Sequence, residues 1–146
     1  AALGLDTGIN YRTNADFAAA VLEATGGRGA DVILDSIGAD YWERNFRALA
    51  PKGRMVVIGF QGGARTEANL GPLLQKRATV IGTTLRVRPL EEKAAATKAF
   101  ERSVLPHVAS GRIRVPVDRT FPLSEIGEAH AYLESNAHFG KIAVSL

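Results

Sequence analysis

The sequence predicts an α/β fold built on a parallel sheet, and two observations carry this prediction. Three short runs are apolar on nearly every residue, over 32–34, 55–58 and 79–81. A strand that is apolar on successive residues is expected to be buried on both faces, as in a parallel sheet between helical layers. Helical patterns fill the segments between these runs, which indicates right-handed βαβ units and a Rossmann-type doubly wound sheet.

Caps, glycines and prolines set the element boundaries. Thr13 and Asp16 are suited to start a helix, and Gly26 ends it. Pro89 opens a long helix that Pro106 should kink or break near its end. The predicted elements, in order, are a helical turn over 1–3, a strand over 8–11, a helix over 13–25, a strand over 30–37, a helix over 41–50, a strand over 55–58, a short helix over 69–77, a strand over 79–85, a helix from 89 to about 108, a strand over 115–121, a helix over 124–135 and a strand over 141–146.

Composition narrows the class of protein. The chain has 146 residues, of which 46% are hydrophobic and 23% charged, close to the averages for folded domains. No apolar window approaches the roughly 20 residues of a membrane span, no signal peptide is visible, and we predict a cytoplasmic location. Cysteine is absent, so this stretch holds neither disulfides nor thiolate metal sites. The net charge of +3 comes from scattered residues, so nucleic acid is not favoured as a partner.

The carboxyl ends of the predicted strands are where a ligand is expected to bind. The residues there are Ser36 to Gly38, Gly59 to Gln61 and Thr83 to Leu85. Gly59 is expected to be small so that a ligand can approach the backbone. We expect the carboxylate of Asp35, at a strand end, to hydrogen-bond the following loop in preference to a catalytic role. The glycine-rich phosphate loop G-x-G-x-x-G is not present in these residues.

Other chemistries find little support. His130 falls on an apolar helix face, where a packed histidine is expected, and His107 and His138 have no partner at metal-site spacing. Arg86 and Arg88 are expected to be solvated charges at the start of a helix. No nucleophile elbow, Ser/His/Asp order or carboxylate pair indicates a hydrolase. We therefore predict no metal site here and name no catalytic residue.

An ordered set of short motifs resembles the zinc-independent quinone oxidoreductases of the medium-chain dehydrogenase/reductase superfamily. Any one motif is weak, but the ordered set is specific. The resemblance implies that residues 1–112 are the C-terminal portion of the NADP-binding Rossmann domain, and that residues 113–146, a strand-helix-strand segment, return to the catalytic domain. It also implies that the catalytic domain, the first strands and the glycine-rich loop precede this segment. The motifs are Ile9-Asn10-Tyr11-Arg12, Thr25 to Gly29, Asp35-Ser36-Ile37-Gly38, Trp42-Glu43-Arg44, Leu49 to Arg54, Asn69-Leu70, Ala109 to Ile113 and Gly140-Lys141-Ile142.

The same resemblance implies a function. It predicts reduction of quinones or other enones by direct hydride transfer from NADPH, without a metal, in a homodimer joined through the strand over 79–85. Tyr11 is expected to approach the adenosine phosphate, with help from Arg12. The other residues implied to contact the cofactor are Ile37 in a flanking loop, Gly59, Phe60 and Gln61 beneath the nicotinamide ribose, Thr84 and Leu85 at the nicotinamide end, and Asn136 in a C-terminal turn.

Two alternatives stay open. One is a zinc-dependent alcohol dehydrogenase of the same superfamily, whose metal ligands would lie largely upstream. The other is a non-enzymatic role, crystallin-like or RNA-binding, although no stripe of basic and aromatic residues supports RNA. The physiological acceptor is not readable from this segment, and the segment alone is not expected to bind NADPH tightly or to reduce quinones.

Overall fold

The structure, a computed structural model, describes residues 4–146, so the helical turn predicted over 1–3 lies outside the described residues. The chain divides into two compact units, residues 4–88 and Pro89–Leu146. The first unit alternates helices and strands in the predicted way. Its elements are α1 (Phe17–Ala24), β1 (Ala30–Asp35), a 3-10 turn (Ala39–Tyr41), α2 (Trp42–Ala48), β2 (Leu49–Val57), α3 (Gly71–Lys76) and β3 (Thr79–Gly82).

The first unit is built on a parallel sheet in the order β1-β2-β3. Ile33, Met55 and Val80 lie side by side in register across the three strands. Each connection between neighbouring strands carries a helix, as a parallel pairing requires. The predicted α/β class with a parallel sheet is therefore confirmed. Among the described residues, no helix is long and apolar enough to cross a membrane.

The core of the first unit lies between the sheet and its helices. Phe46 from α2 and Leu49 and Met55 from β2 are almost fully buried, and Ile33 and Val80 pack against them. Lys76 at the end of α3 caps the carboxyl end of α2. Its Nζ donates to the carbonyls of Phe46 at 2.6 Å and Leu49 at 2.5 Å. These bonds satisfy carbonyl groups that a helix end leaves without partners.

The opposite face of this sheet is exposed, so the prediction of burial on both faces was wrong. Val32 and Leu34 of β1 are 61% and 69% exposed, and Ile81 of β3, in register with Leu34 across β2, is 43% exposed. Successive side chains of a strand point to opposite faces. Within residues 4–88, the packing of α2 and α3 on β2 covers the Met55 side and leaves the Leu34 side uncovered.

Two predicted strands also required correction. Residues 8–11 are not a strand: the chain turns at Asn10, whose carbonyl accepts from the Asn14 amide at 2.8 Å and whose side chain accepts from the Arg12 amide at 3.0 Å. A strand needs a ladder partner, and none of the strands in residues 4–146 pairs with this segment. The strand predicted over 79–85 ends at Gly82, because β2, its partner, pairs only as far as Val57.

The second unit contains its own small parallel sheet. The long helix breaks at Val104, two residues before Pro106, which lies in the first turn of the following helix. This break confirms the expected effect of Pro106. The predicted domain boundary after residue 112 stays a prediction, whereas the compact units divide between Arg88 and Pro89. The elements are α4 (Leu90–Ser103), α5 (Leu105–Ala109), β4 (Val117–Pro122), a 3-10 turn (Leu123–Glu125), α6 (Ile126–Glu134) and β5 (Lys141–Ser145), with β4 parallel to β5.

Candidate functional site

The carboxyl ends of the three strands of the first unit meet at one edge of the sheet. Asp35, Val57 and Gly82 are partners in the register across β1, β2 and β3. The segments that leave these strands therefore start side by side. In open α/β sheets this edge is where ligands bind.

The segments after β1 and β2 are joined to one another by backbone hydrogen bonds. The Ile58 amide donates to the Asp35 carbonyl at 2.7 Å, and the Gly62 amide donates to the Ile37 carbonyl at 2.8 Å. The Ala39 amide donates back to the Gly63 carbonyl at 2.9 Å. We call residues 36–39 and 58–63 the double loop. Its two halves continue the contact of β1 with β2 beyond the end of the ladder.

The carboxylate of Asp35 accepts hydrogen bonds from the first half of the double loop. The residue is 4% exposed, and its Oδ1 accepts from the Ile37 amide at 2.8 Å and the Gly38 amide at 3.2 Å. Its Oδ2 accepts from the same Gly38 amide at 3.1 Å. The expectation that this carboxylate hydrogen-bonds the following loop is confirmed.

Glycines allow the two halves to approach this closely. Gly38 has a φ of +80°, and a Cβ there would lie 2.8 Å from the Gly63 carbonyl oxygen and 2.9 Å from a Phe60 ring carbon. At Gly62 a Cβ would lie 2.7 Å from the Ile37 side chain. The close neighbour of Gly59 is the Ser36 carbonyl, 3.0 Å from such a Cβ. Side chains at these positions would separate the halves.

The roles of Gly38 and Gly62 were missed in the sequence analysis. Gly38 stood there as the end of the Asp35-Ser36-Ile37-Gly38 motif, and its likeness to a turn glycine was the available signal. The contacts that require it come from residues more than 20 positions away, which a local pattern does not contain. Gly59, by contrast, was singled out, and its close contact is with the protein backbone.

The Arg88 side chain hydrogen-bonds the segment that follows β3. The Thr83 amide donates to the Val57 carbonyl at 3.0 Å, and the chain then turns away. Arg88 donates from Nε to the Thr84 carbonyl at 3.0 Å and from Nη2 to the Thr83 hydroxyl at 2.9 Å. Arg88 was expected to be a solvated charge, and these bonds give it a local structural role. Together with the bond from the Arg88 amide to the Leu85 carbonyl at 3.3 Å, they hold residues 83–85 in a compact turn.

Apolar side chains project from this edge. Phe60 and Leu85 are each 62% exposed, and Ile58 is about half exposed. Exposed apolar groups beside polar backbone suit a ligand that has a flat ring at one end and hydrogen-bonding groups beside it. Within residues 4–146, no cluster of three or more His, Asp or Glu side chains is placed to hold a metal ion.

Six of the predicted contact residues lie on this edge, Tyr11 lies in another part of the first unit, and Asn136 is in the second unit. Ile37, Gly59, Phe60 and Gln61 belong to the double loop, and Thr84 and Leu85 follow β3. Tyr11 is exposed and lies in the turn that starts at Asn10. Asn136 belongs to the second unit, where it has a φ of +52° and donates to the Glu134 carbonyl at 3.2 Å. Contact of these eight residues with a cofactor stays a prediction.

Comparisons with known proteins agree with this architecture. The family model described as zinc-binding dehydrogenase matches residues 3–144. The chain is 36% identical over 134 residues to quinone oxidoreductase 1 of Escherichia coli, covering 90% of the chain and 40% of that protein. It is 30% identical over 142 residues to a 2-haloacrylate reductase of Burkholderia, covering 97% of the chain and 42% of that protein. The chain thus spans about two fifths of these relatives.

Solved structures are similar over almost the whole chain. A crystal structure of an NAD-dependent alcohol dehydrogenase has a TM-score of 0.80 at 29% identity and covers 99% of this chain and 39% of its own. The Escherichia coli quinone oxidoreductase complexed with NADPH has a TM-score of 0.70 at 35% identity, covering 94% of this chain and 42% of its own. The resemblance predicted from the motifs is confirmed by the family model and these relatives.

Proposed function

We propose that this chain, which belongs to the zinc-binding dehydrogenase family, is the C-terminal part of an NADPH-dependent oxidoreductase that reduces quinones or other enones. The observation that carries the proposal is the glycine-lined double loop at the carboxyl edge of a parallel sheet. Similarity to a quinone oxidoreductase and to a 2-haloacrylate reductase supports the class of acceptor. Both relatives are named for reduction of a conjugated acceptor.

The residues of the double loop fit a dinucleotide on two counts. Gly38, Gly59 and Gly62 let the two halves of the double loop pack closely at the site edge, and Phe60 and Leu85 offer exposed apolar surface for a planar ring. When bound, NADPH supplies the hydride. This chain's own part is to orient the nicotinamide end and to exclude water beside it, which favours transfer at close range.

Tyr11 and Arg12 are proposed to select NADPH over NADH. Tyr11 is exposed, and a phenol and a guanidinium can both donate hydrogen bonds to the additional phosphate. Asn136 is retained in the proposal as a second contact to the cofactor. For Tyr11→Ala in the full-length protein, we expect the KM for NADPH to rise more than the KM for NADH. Equal changes would remove Tyr11 from the cofactor site.

The proposal is tested by assaying the full-length protein with 1,4-benzoquinone and NADPH after exhaustive chelation. Activity is expected to persist. Activity that is lost with the chelator and restored by zinc would favour the zinc-dependent alcohol dehydrogenase. Gly59→Val is expected to abolish turnover, because a branched side chain would meet the Ser36 carbonyl and displace the double loop. Gly127→Val is the matched control, since Gly127 lies in α6, outside the double loop, and a Cβ there meets nothing within 4 Å.

A homodimer through β3 is the second part of the proposal. In the described sheet β3 is a terminal strand, so one of its edges is unpaired, and Ile81 is partly exposed. An unpaired apolar edge associates readily, and a two-fold copy can cover it. Light scattering on the full-length protein is expected to give a dimer mass that Ile81→Pro reduces. A wild-type monomer at micromolar concentration would contradict it.

Three predictions from the sequence complete this proposal. The protein acts in the cytoplasm, it does not bind nucleic acid, and residues 1–146 alone do not bind NADPH tightly. The last of these is tested by calorimetric titration of the chain with NADPH. Low-micromolar binding would show that the cofactor site is complete within these residues.

A further inference from the structure

We propose that Asp35 is a positioning residue for cofactor binding, acting through the double loop without touching the cofactor. This inference rests on the proposed function for its ligand. The geometry on which it stands, namely the bonds of Asp35 and the contacts of Gly38, is independent of that ligand. What Asp35 determines is the path of the backbone from Ser36 to Ala39.

The hydrogen bonds of Asp35 all go to one short piece of backbone. Both carboxylate oxygens accept from the Gly38 amide, and Oδ1 also accepts from the Ile37 amide. Asp35 is 4% exposed, so water does not replace these bonds freely. Buried amides without acceptors are strongly disfavoured. The loop therefore keeps the conformation in which both amides point at this carboxylate.

That conformation is then transmitted to the second half of the double loop. Gly38 is in contact with the Gly63 carbonyl and the Phe60 ring, closely enough that a Cβ would overlap both. The Ile37 carbonyl accepts from the Gly62 amide, and the Ser36 carbonyl accepts from the Gln61 amide at 3.1 Å. A displacement of Gly38 must therefore displace residues 60–63, which carry predicted contacts to the cofactor.

Three variants separate this role from a general effect on folding. Asp35→Ala removes all the acceptors, whereas Asp35→Asn keeps one oxygen that can accept from both amides. Asp31→Ala is the matched control: it removes a carboxylate from the other end of the same strand, where Asp31 is exposed and paired with Arg28. Each variant is made in the full-length protein.

The measurements are the Kd for NADPH by fluorescence titration and hydrogen exchange of peptides that cover 36–39 and 58–63. For Asp35→Ala we expect the Kd for NADPH to rise about tenfold or more. The Ile37 and Gly38 amides then have no acceptor, so the loop leaves the conformation that the cofactor is proposed to bind. Exchange is expected to accelerate in both halves of the double loop. Asp35→Asn should recover most of the affinity and protection, and Asp31→Ala should match the wild type in both.

The outcomes distinguish this inference from the proposed function. If the wild type does not bind NADPH, the proposed function fails. If the wild type binds and folded Asp35→Ala binds with the same Kd, the positioning role is overturned and the proposed function stands. A lower melting temperature with an unchanged Kd would also overturn it, because that is a structural role alone. Should Asp35→Ala not fold, Asp35→Ser takes its place with the same criteria.

Discussion

The two compact units of this chain bury their apolar side chains to very different extents. In the first unit Phe46, Leu49 and Met55 form a core beneath the sheet. In the second unit Phe121 and Ala129 are the buried hydrophobic residues among those described, and Leu133, Phe139 and Val144 are exposed. Burial of apolar area is the main favourable contribution to folding. The first unit is therefore stabilised by its own core, and the second depends more on its strand pairing and local contacts.

A matched pair of leucines tests this difference most directly. Leu49 in the first unit is 1% exposed and Leu133 in the second is 48% exposed. Leu49→Ala is expected to lower the free energy of unfolding by about 2–5 kcal/mol, because it leaves a cavity in the core. Leu133→Ala is expected to lower it by about 1 kcal/mol or less, since much of that side chain already contacts water.

Urea unfolding followed by circular dichroism measures both changes in the chain. Equal losses would show that the second unit has a core of its own that its exposed side chains conceal. A loss at Leu49 below about 1 kcal/mol would contradict the assignment of the core to the first unit.

Two glycines with positive φ give the next largest contrast. Gly38 has a φ of +80°, and a Cβ there would overlap the Gly63 carbonyl and Phe60. Gly111 in the second unit has a φ of +74°, and a Cβ there would meet nothing within 4 Å. Gly111→Ala is expected to cost about 1–2 kcal/mol for the backbone conformation alone. Gly38→Ala is expected to cost about 2–5 kcal/mol, because overpacking adds to that strain.

Thermal unfolding of the two alanine variants provides the measurement. Hydrogen exchange of residues 58–63 should also accelerate in Gly38→Ala, since this segment contacts Gly38 directly. Equal melting temperatures in the two variants would show that the double loop relaxes around an added methyl group at little cost.

Features that depend on near neighbours in the sequence were predictable, and features that depend on distant partners were not. The helix around Phe46 and the break before Pro106 depend on neighbours within a few residues, and their prediction was confirmed. The helix predicted to start at Thr13 begins at Phe17 instead, with Asp16 as its N-cap. The strand over 8–11 and burial on both sheet faces depend on partners distant in sequence, and there the prediction was wrong. A periodic apolar pattern shows what a strand is able to bury, whereas burial itself requires an element packed on it.

The candidate site likewise has features that local sequence predicts and contacts that it does not predict. The parallel strands predict where the site edge lies, and the motif beginning at Asp35 predicts that its carboxylate binds the next loop. The pairing of Gly38 with Gly63 and of Ile37 with Gly62 joins segments about 25 residues apart. Such contacts are a property of the folded sheet, so local residue spacing did not reveal them.

The smallest expected effect concerns a local contact of the second unit. The Tyr132 hydroxyl donates to Asp118 Oδ2 at 2.6 Å. This bond, followed by one from the Phe139 amide, holds the pKa of Asp118 below its usual 3.8, and the same bond raises the pKa of Tyr132 above 10.0. Asp118 is exposed and Tyr132 is partly exposed, so water weakens the interaction. Tyr132→Phe is expected to raise the pKa of Asp118 toward 3.8, measured by a carbon NMR titration of its carboxyl group.

The sign of the pH dependence follows from these two shifts. Because the folded pKa of Asp118 is lowered, its stabilising contribution is present above pH 3.8 and is lost as the pH falls through the folded value. Because the folded pKa of Tyr132 is raised, its contribution is present below pH 10.0 and is lost as the pH rises through the folded value. The melting temperatures of the wild type and Tyr132→Phe should therefore differ between these limits and converge outside them.

Tyr41→Phe, in the first unit, is the control and should leave the titration of Asp118 unchanged. If Asp118 titrates identically in Tyr132→Phe, the Phe139 amide and the charges of His138 and Arg119 account for its lowered pKa.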